Sequence, residues 1–385
     1  MARIAHVEIL MVDLPPTVQR VDAIQSFVSQ ETPLVRIIDS DGAEGVGYAY
    51  TIGSGGPATM SLLARTLAPR LIGREAEEIE AIWRDLLFAT HATAVGAITS
   101  LALAAVDTAL WDLRCRRAGL PLWRLAGGAQ ASVPLYTTEG GWLHLPAEAL
   151  AEDAAEMKAK GFYGAKLKIG KPSIAEDRAR LAKVRAAVGE DFRVMVDANQ
   201  AFDLAEAMRR ADMLAEARVD WFEEPMPADN IGAHALLARH SRVPIAVGES
   251  MYSQAQFKDY LEQGAASIVQ ADVARIGGIT PWLKVAHMAE GFNVAICPHF
   301  LMELHVSLVC AVPNAPFLEY IPQLDAIITS RLDIKEGRAH PPKAPGLGIE
   351  WDWGVIRERL AAGTHHTFGG GETHAAHGHG HRAEA

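Results

Sequence analysis

Three acidic residues stand at equal intervals: Asp197 in RVMVDANQ, Glu223 in WFEEP and Glu249 in IAVGES, with 26 positions from each to the next. Each closes a short apolar run, and helix-like sequence follows each. A lone acid after a strand often does no more than cap the next helix. Three at a constant period fit repeated βα units, each aiming one carboxylate at a common point above the C-terminal rim of a parallel barrel. Together they form a hard oxygen set suited to Mg²⁺, with positions left for water and substrate.

Other groups can reach the same mouth. Lys166 and Lys168 in AKLKIG sit two apart, which on a strand puts both ammonium groups on one face, here the barrel interior. As buried like charges, each is expected to lower the other's pKa and leave one able to act as a base near neutral pH. Asp272 closes SIVQAD and His299 closes NVAICPH. An acid that holds one imidazole nitrogen frees the other for proton transfer. Glu319 in FLEY ends a further strand, and Glu224 beside Glu223 is open to binding a metal water or capping the next helix. Thr138 and Asn199 are candidate hydroxyl-binding groups. A cation with a lysine on one side and a histidine on the other suits removal of a proton α to a carboxylate, because the cation offsets the charge that develops.

Something must hold these side chains together. Strand-like runs fall at 133–138, 165–169, 193–199, 221–225, 244–249, 267–272, 293–299 and 317–320, with helix-like stretches such as 148–160, 175–188 and 204–217 between them. Eight parallel strands with right-handed helical crossovers close into a TIM-like barrel of the α/β class. An open doubly wound sheet would gather its ligands at one switch point instead. Before residue 131 there is no βα rhythm. Alternation predicts a strand over Ile4–Asp13 and a hairpin of Pro33–Asp39 with Val46–Ala49, while 17–32 has no clear pattern. Helices are expected at 59–71, 75–88 and about 98–117, the last with Leu103, Val106, Leu110 and Leu113 on one face and Asp107 and Asp112 as packing partners. The glycines of GSGGP (53–57) lack the Lys-Ser/Thr ending of a phosphate loop and read as a turn. The division expected is an α+β unit over 1–130, the barrel over 131–320, a return segment over 321–367 (RLDIKEGRAH, then PGLGIEWDW) on the first unit, and a mobile His/Gly-rich tail over 368–385.

A net charge of −11 argues against a nucleic-acid partner but leaves an anionic substrate open, because a bound cation reverses the local field. Cys115, Cys297 and Cys310 show no paired spacing, as expected in a reducing compartment. No signal-peptide pattern or membrane-length apolar run is read, so a cytoplasmic protein with no membrane partner is expected.

With these residues in place, the chain resembles the enolase superfamily, mandelate racemase subgroup, from Ala2 to about Leu360. The resemblance implies an N-terminal capping domain, completed by the C-terminal segment, over a (β/α)₇β barrel. It implies Mg²⁺ held by Asp197, Glu223 and Glu249, Lys168 as base, and Lys166 and Glu319 on the substrate carboxylate. His299 and Asp272 form the opposing dyad, and a homo-oligomer (dimer or octamer) is implied as well. The cycloisomerase subgroup places a lysine on the sixth strand, where this chain has Asp272. GYAYTIGSGGP (47–57), YTTEGGWLHLP (136–146) and PHFLMELHVSL (298–308) resemble segments of L-talarate/galactarate dehydratases. The expected activity is therefore acid-sugar dehydration to a 2-keto-3-deoxy acid, with racemisation of a 2-hydroxy acid as the alternative. Segment 17–32 departs from the pattern, offering only Arg20 as a cation for a second substrate carboxylate. A non-catalytic metal-binding barrel is the reading from another class. The presence of Lys168, Asp272 and His299 counts against it, since metal binding needs none of them.

Overall fold

The computed structural model describes residues 2–93 and 96–369. The cap opens with β1 (Ile4–Asp13), a small hairpin of β2 (Arg20–Val21) and β3 (Ser26–Phe27), then β4 (Glu31–Asp39) and β5 (Glu44–Tyr48). β1, β4 and β5 form an antiparallel sheet in that order. The hairpin lies in the segment whose sequence carries no pattern, because two-residue strands are too short to alternate. Of helices α1 (Gly56–Leu62), α2 (Ile79–Ala89) and α3 (Ala97–Ala118), α1 and α3 lie on the sheet and α2 packs on α3. The helix expected over 59–71 is not one element: after α1 the chain widens to a π-helical turn at Leu63–Leu67 and tightens to a 3₁₀ turn around Pro69.

Helix α3 is buried on nearly every side, so its apolar residues form no single stripe. It lies hard against β5, where a Cβ on Gly47 would stand 2.2 Å from the Ala105 carbonyl oxygen. Asp107 accepts from the Thr280 backbone N–H at 2.9 Å and the Thr280 hydroxyl at 2.6 Å. Asp112 accepts from the backbone N–H groups of Val46 (2.9 Å) and Leu347 (2.8 Å). Both are packing partners, as expected of acids on a buried helix.

After α4 (Leu122–Leu125), eight parallel strands come in turn: β6 (Val133–Thr137), β7 (Gly164–Lys168), β8 (Arg193–Asp197), β9 (Phe222–Glu223), β10 (Ile245–Val247), β11 (Ile268–Val269), β12 (Ala295–Ile296) and β13 (Leu318–Tyr320). Between them run α5 (Ala147–Ala159), α6 (Ile174–Val188), α7 (Leu204–Glu216), α8 (Ile231–His240), α9 (Gln254–Glu262), α10 (Ile279–Gly291) and α11 (Met302–Ala311). Strands β6 to β12 pair in sequence and β13 returns to pair with β6, giving the (β/α)₇β barrel. Several strands are shorter than their apolar runs because the polar residues at their tips leave the ladder.

The chain ends differently from the expected return. RLDIKEGRAH forms a hairpin, β14 (Asp333–Lys335) and β15 (Arg338–His340), that pairs with β6 of the barrel rather than with the cap. Before the hairpin the chain touches the cap at Pro322 and Gln323, which meet Arg20, and it joins the cap sheet only after the hairpin. There Trp351 packs edge-on against Tyr48 at 5.5 Å, then come α12 (Trp353–Glu358) and β16 (His366–Gly369), which pairs with β1. Phe368 and Gly369, placed by the sequence in the tail, thus belong to the cap sheet, and 370–385 lie outside the described residues. Among the described residues no helix is long and apolar enough to cross a membrane.

Candidate active site

Inside the barrel, Tyr136, Met195, Trp221, Ala246 and Cys297 make an apolar layer. Two residues further along their strands, the same inward face carries Asp197 above Met195, Glu223 above Trp221 and His299 above Cys297. Lys168, Asp197 and Glu223 are register partners across β7, β8 and β9, so three neighbouring strands deliver them at one height. Glu249 is out of step with inward-facing Ala246, and Gly248 corrects this. Its φ is +156°, and a Cβ there would lie 2.5 Å from the Gln270 backbone. The residues after the strands also bend sharply: Asn199, Gln200, Glu224, Phe300 and Leu301 all have positive φ.

Asp197, Glu223 and Glu249 are buried and present carboxylate oxygens within 4.8 Å of one another. Lys168 donates to Asp197 Oδ2, and Lys166 Nζ lies 2.7 Å from Glu223 Oε1 and 2.9 Å from Glu319 Oε1. This reverses the expected lysine electrostatics. Burial pushes the Lys166 ammonium down, but Glu223 and Glu319 outweigh it and hold it well above the ordinary lysine value. Lys168 is likewise held up, by Asp197 against burial and Lys166. Repulsion between the two lysines is outweighed by the carboxylates that reach them from neighbouring strands. Negative charge remains in excess: burial pushes Glu223 up to about 7 despite Lys166, with Asp197, Glu319 and Glu249 adding to the rise. Buried hard oxygens in a site short of positive charge fit a divalent cation. Glu249 Oε2 accepts no hydrogen bond among the described residues and has His299 Nε2 at 3.3 Å.

On the other flank, His299 Nδ1 lies 2.9 Å from Asp272 Oδ2 and Nε2 3.3 Å from Glu249 Oε2. A carboxylate on Nδ1 fixes the proton there and turns Nε2 to the cleft. Asp272 also accepts from the Tyr50 hydroxyl (2.7 Å) and the Ala274 backbone N–H (2.8 Å). Despite burial, the His299 bond holds the Asp272 carboxyl at about 2. The imidazole is raised, Glu249 and Asp272 outweighing burial.

A narrow cleft lies between barrel and cap, reached by Lys166, Lys168, Asn199, Glu249, His299 and Glu319 from below. Thr138 faces it and donates to Glu319 Oε1 at 2.6 Å. Asn199 Oδ1 is buried without a partner among the described residues. The resemblance gives Glu319 a hydrogen bond to the substrate carboxylate. Here its oxygens meet Lys166, the Thr138 hydroxyl and the Phe300 N–H, and against burial Lys166 and His299 hold its carboxyl low, so in this structure it anchors Lys166. Arg20 is not in the cleft: its guanidinium is turned to Glu139, Gln323 Oε1 and the Pro322 carbonyl. A buried arginine needs such partners, and they take four of its five N–H donors. Glu224 is buried, with one oxygen accepting from Gln200 at 3.3 Å.

Several groups in the site were not anticipated from the sequence. Gln270 donates to Glu223 Oε2 at 2.6 Å, and its spacing of two from Asp272 could have placed it on the inward face. Tyr50 lies in the quoted GYAY segment. Arg275, which donates to the Tyr50 oxygen (3.1 Å) and lies 3.4 Å from Glu249, carries no sequence signal. Buried His305 accepts from the Val273 N–H at Nε2 (3.1 Å) and donates to the Phe300 carbonyl from Nδ1 (2.9 Å). It thereby ties the segment bearing Asp272 to the one bearing His299.

Residues 6–127 match the mandelate racemase / muconate lactonizing enzyme N-terminal domain family, and 149–355 match the enolase C-terminal domain-like family. The chain is 36% identical over 316 residues to the L-talarate/galactarate dehydratase of Salmonella typhimurium, covering 82% of this chain and 79% of that one. It is 37% identical over 331 residues to the 3,6-anhydro-alpha-L-galactonate cycloisomerase of Streptomyces coelicolor, covering 86% and 91%. The crystal structure of L-talarate dehydratase from Polaromonas sp. JS666, complexed with Mg and L-glucarate, superposes with a TM-score of 0.91 at 35% identity, covering 96% of this chain and all of that one. Two family matches that together span cap and barrel, and relatives aligned over most of their length, place this chain in the enolase superfamily, within its mandelate racemase subgroup.

Proposed function

We propose that the chain is a Mg²⁺-dependent acid-sugar dehydratase giving a 2-keto-3-deoxy acid. The observation that carries this is the placing of two proton-transfer groups on opposite flanks of one carboxylate cluster, Lys168 against Asp197 and His299 against Glu249. Asp197, Glu223 and Glu249 would hold Mg²⁺, which when bound offsets the charge on the substrate carboxylate as its α-proton departs. Lys166, anchored by Glu319, pairs with that carboxylate. Lys168 Nζ takes the α-proton; its own proton is held by Asp197, and a cation on Asp197 would weaken that hold and let the repulsion of Lys166 favour the neutral amine. The C–H electron pair becomes the C2–C3 double bond, and the β-hydroxyl leaves as water with the proton from His299 Nε2. Asp272 stabilises the imidazolium before that transfer. The resulting enol tautomerises to the 2-keto acid. Asn199 Oδ1 and Thr138 receive substrate hydroxyls.

The test is formation of 2-keto acid from an acid-sugar library with Mg²⁺ present. Chelation should abolish it and Mg²⁺ restore it; full activity after exhaustive chelation overturns the reading. The two-flank arrangement also favours a second reading, racemisation or epimerisation of a 2-hydroxy acid, in which each flank serves one face of the α-carbon. The buried free cysteines support a reducing, cytoplasmic setting. We read the enzyme as a homo-oligomer by family likeness, which its mass in solution checks. The two relatives above are named for a galactarate, which has two carboxylates, and for a galactonate, which has one. Their near-equal identities leave the far end of the substrate unspecified.

A further inference from the structure

Building on the dehydratase reading, we infer that the acid accepted here carries a single carboxylate and an uncharged, hydroxyl-bearing far end. The cations that reach the cleft as lysine or arginine, Lys166, Lys168 and Arg275, all belong to the barrel side, where Lys166 and Lys168 serve the first carboxylate and the α-proton and Arg275 is held by Glu249 and Tyr50. The roof comes from the cap: Asp22, Gln25 and Phe27 from the β2–β3 hairpin, with Tyr50 and Ile52 after β5. Among the described residues its only charge is the Asp22 carboxylate. Arg20, two residues earlier, is turned away to Glu139, so the hairpin offers no counter-charge.

Asp22 is held in place. Its Oδ1 accepts from the Ile24 and Gln25 backbone N–H groups, both at 2.8 Å, and its own N–H donates to the Gln25 carbonyl at 3.1 Å. Oδ2 makes no hydrogen bond among the described residues. A hydroxyl reaching the roof can donate to Oδ2. A carboxylate there would face a like charge with Phe27 and Ile52 beside it, where water cannot solvate both acids.

The test compares six-carbon aldonates and aldarates matched from C2 to C5, with the full chain and Mg²⁺. It reads α-deuterium uptake in D₂O and 2-keto acid formation. Wild type should favour aldonates, and Asp22→Asn, which keeps the Oδ1 acceptor but not the charge, should narrow the kcat/KM ratio by about tenfold. The inference is overturned if wild type uses aldarates as well as aldonates, or if Asp22→Asn leaves the ratio unmoved. Turnover of aldarates alone leaves the dehydratase reading standing and removes only this inference. If no acid of either class exchanges its α-proton, the dehydratase reading falls and takes this one with it.

Discussion

His299 and Lys168 divide one reaction between two side chains, so single substitutions should separate its halves. His299→Asn should slow dehydration by about 10²–10⁴-fold, since general acid catalysis contributes on that order. It should still let Lys168 exchange the α-proton of substrates whose proton faces it. Lys168→Ala should stop exchange on that face. Deuterium uptake followed beside 2-keto acid formation checks both. A racemase would instead leave each variant able to exchange one enantiomer and would release no keto acid. His299→Asn dehydrating at the wild-type rate sinks the assignment. These residues were legible because each ends a strand, where sequence period and barrel geometry coincide. Their charge states were not, since the lysines' partners come from other strands, from 29 positions away (Asp197) to 153 away (Glu319, 319 − 166). His305 was also illegible, because its work is to join two backbones. Burial pushes its imidazole down from 6.5 to about 4. Between those values the unfolded chain binds a proton that the native state refuses, so stability falls as pH drops from 6.5 toward 4. The shift is worth about 3 kcal/mol over that window. Denaturant unfolding of His305→Gln should lose that part of the acid slope; an identical slope counts against the neutral clamp.

At the scale of elements, Asp107 caps a helix it does not belong to. The N-cap of α10 is Gly278, which has no side chain to offer the helix's first N–H groups, and Asp107 on α3 meets the Thr280 N–H from across the domain boundary. Asp107→Ala should destabilise the protein by about 2 kcal/mol, because it strands a buried N–H and a hydroxyl. Asp107→Asn, which keeps an acceptor, should cost less. Unfolding midpoints of the two variants check this, and equal losses would mean packing rather than hydrogen bonding is at stake. The alternation of β1 and the βα rhythm made strands and most helices readable in advance. The β2–β3 hairpin and the docking of β15 on β6 were not readable. Two- and three-residue strands carry no periodicity, and their placement depends on which edge is free.

The whole molecule couples metal, fold and access. Because Asp197, Glu223 and Glu249 come from three strands, a cation they share binds only the closed barrel. Saturating Mg²⁺ should therefore raise the thermal midpoint over the EDTA-treated protein, with about 2.7 kcal/mol expected at a hundredfold excess over Kd. Glu223→Gln should lose most of that shift while its far-ultraviolet circular dichroism stays native; an undiminished shift would put the cation elsewhere. Asp107 and Asp112 bear on a different matter, the traffic of small molecules. Asp107 fastens α3 to α10 of the barrel, while Asp112 binds β5 and the segment at Leu347 into the cap, so the cap is tied to the barrel as one body. Ingress and egress then fall to the β2–β3 hairpin, which is moored to the loop after β6 by Arg20 with Glu139, by the Leu143 N–H on the Val21 carbonyl (2.9 Å), and by Phe27 against Trp142 (5.8 Å). For a good substrate, turnover should be throttled by departure through that small gate. An inert viscogen should then lower kcat, and deuterium at C2 should leave it almost unchanged. A poor substrate, limited by its own chemistry, should respond the opposite way to both.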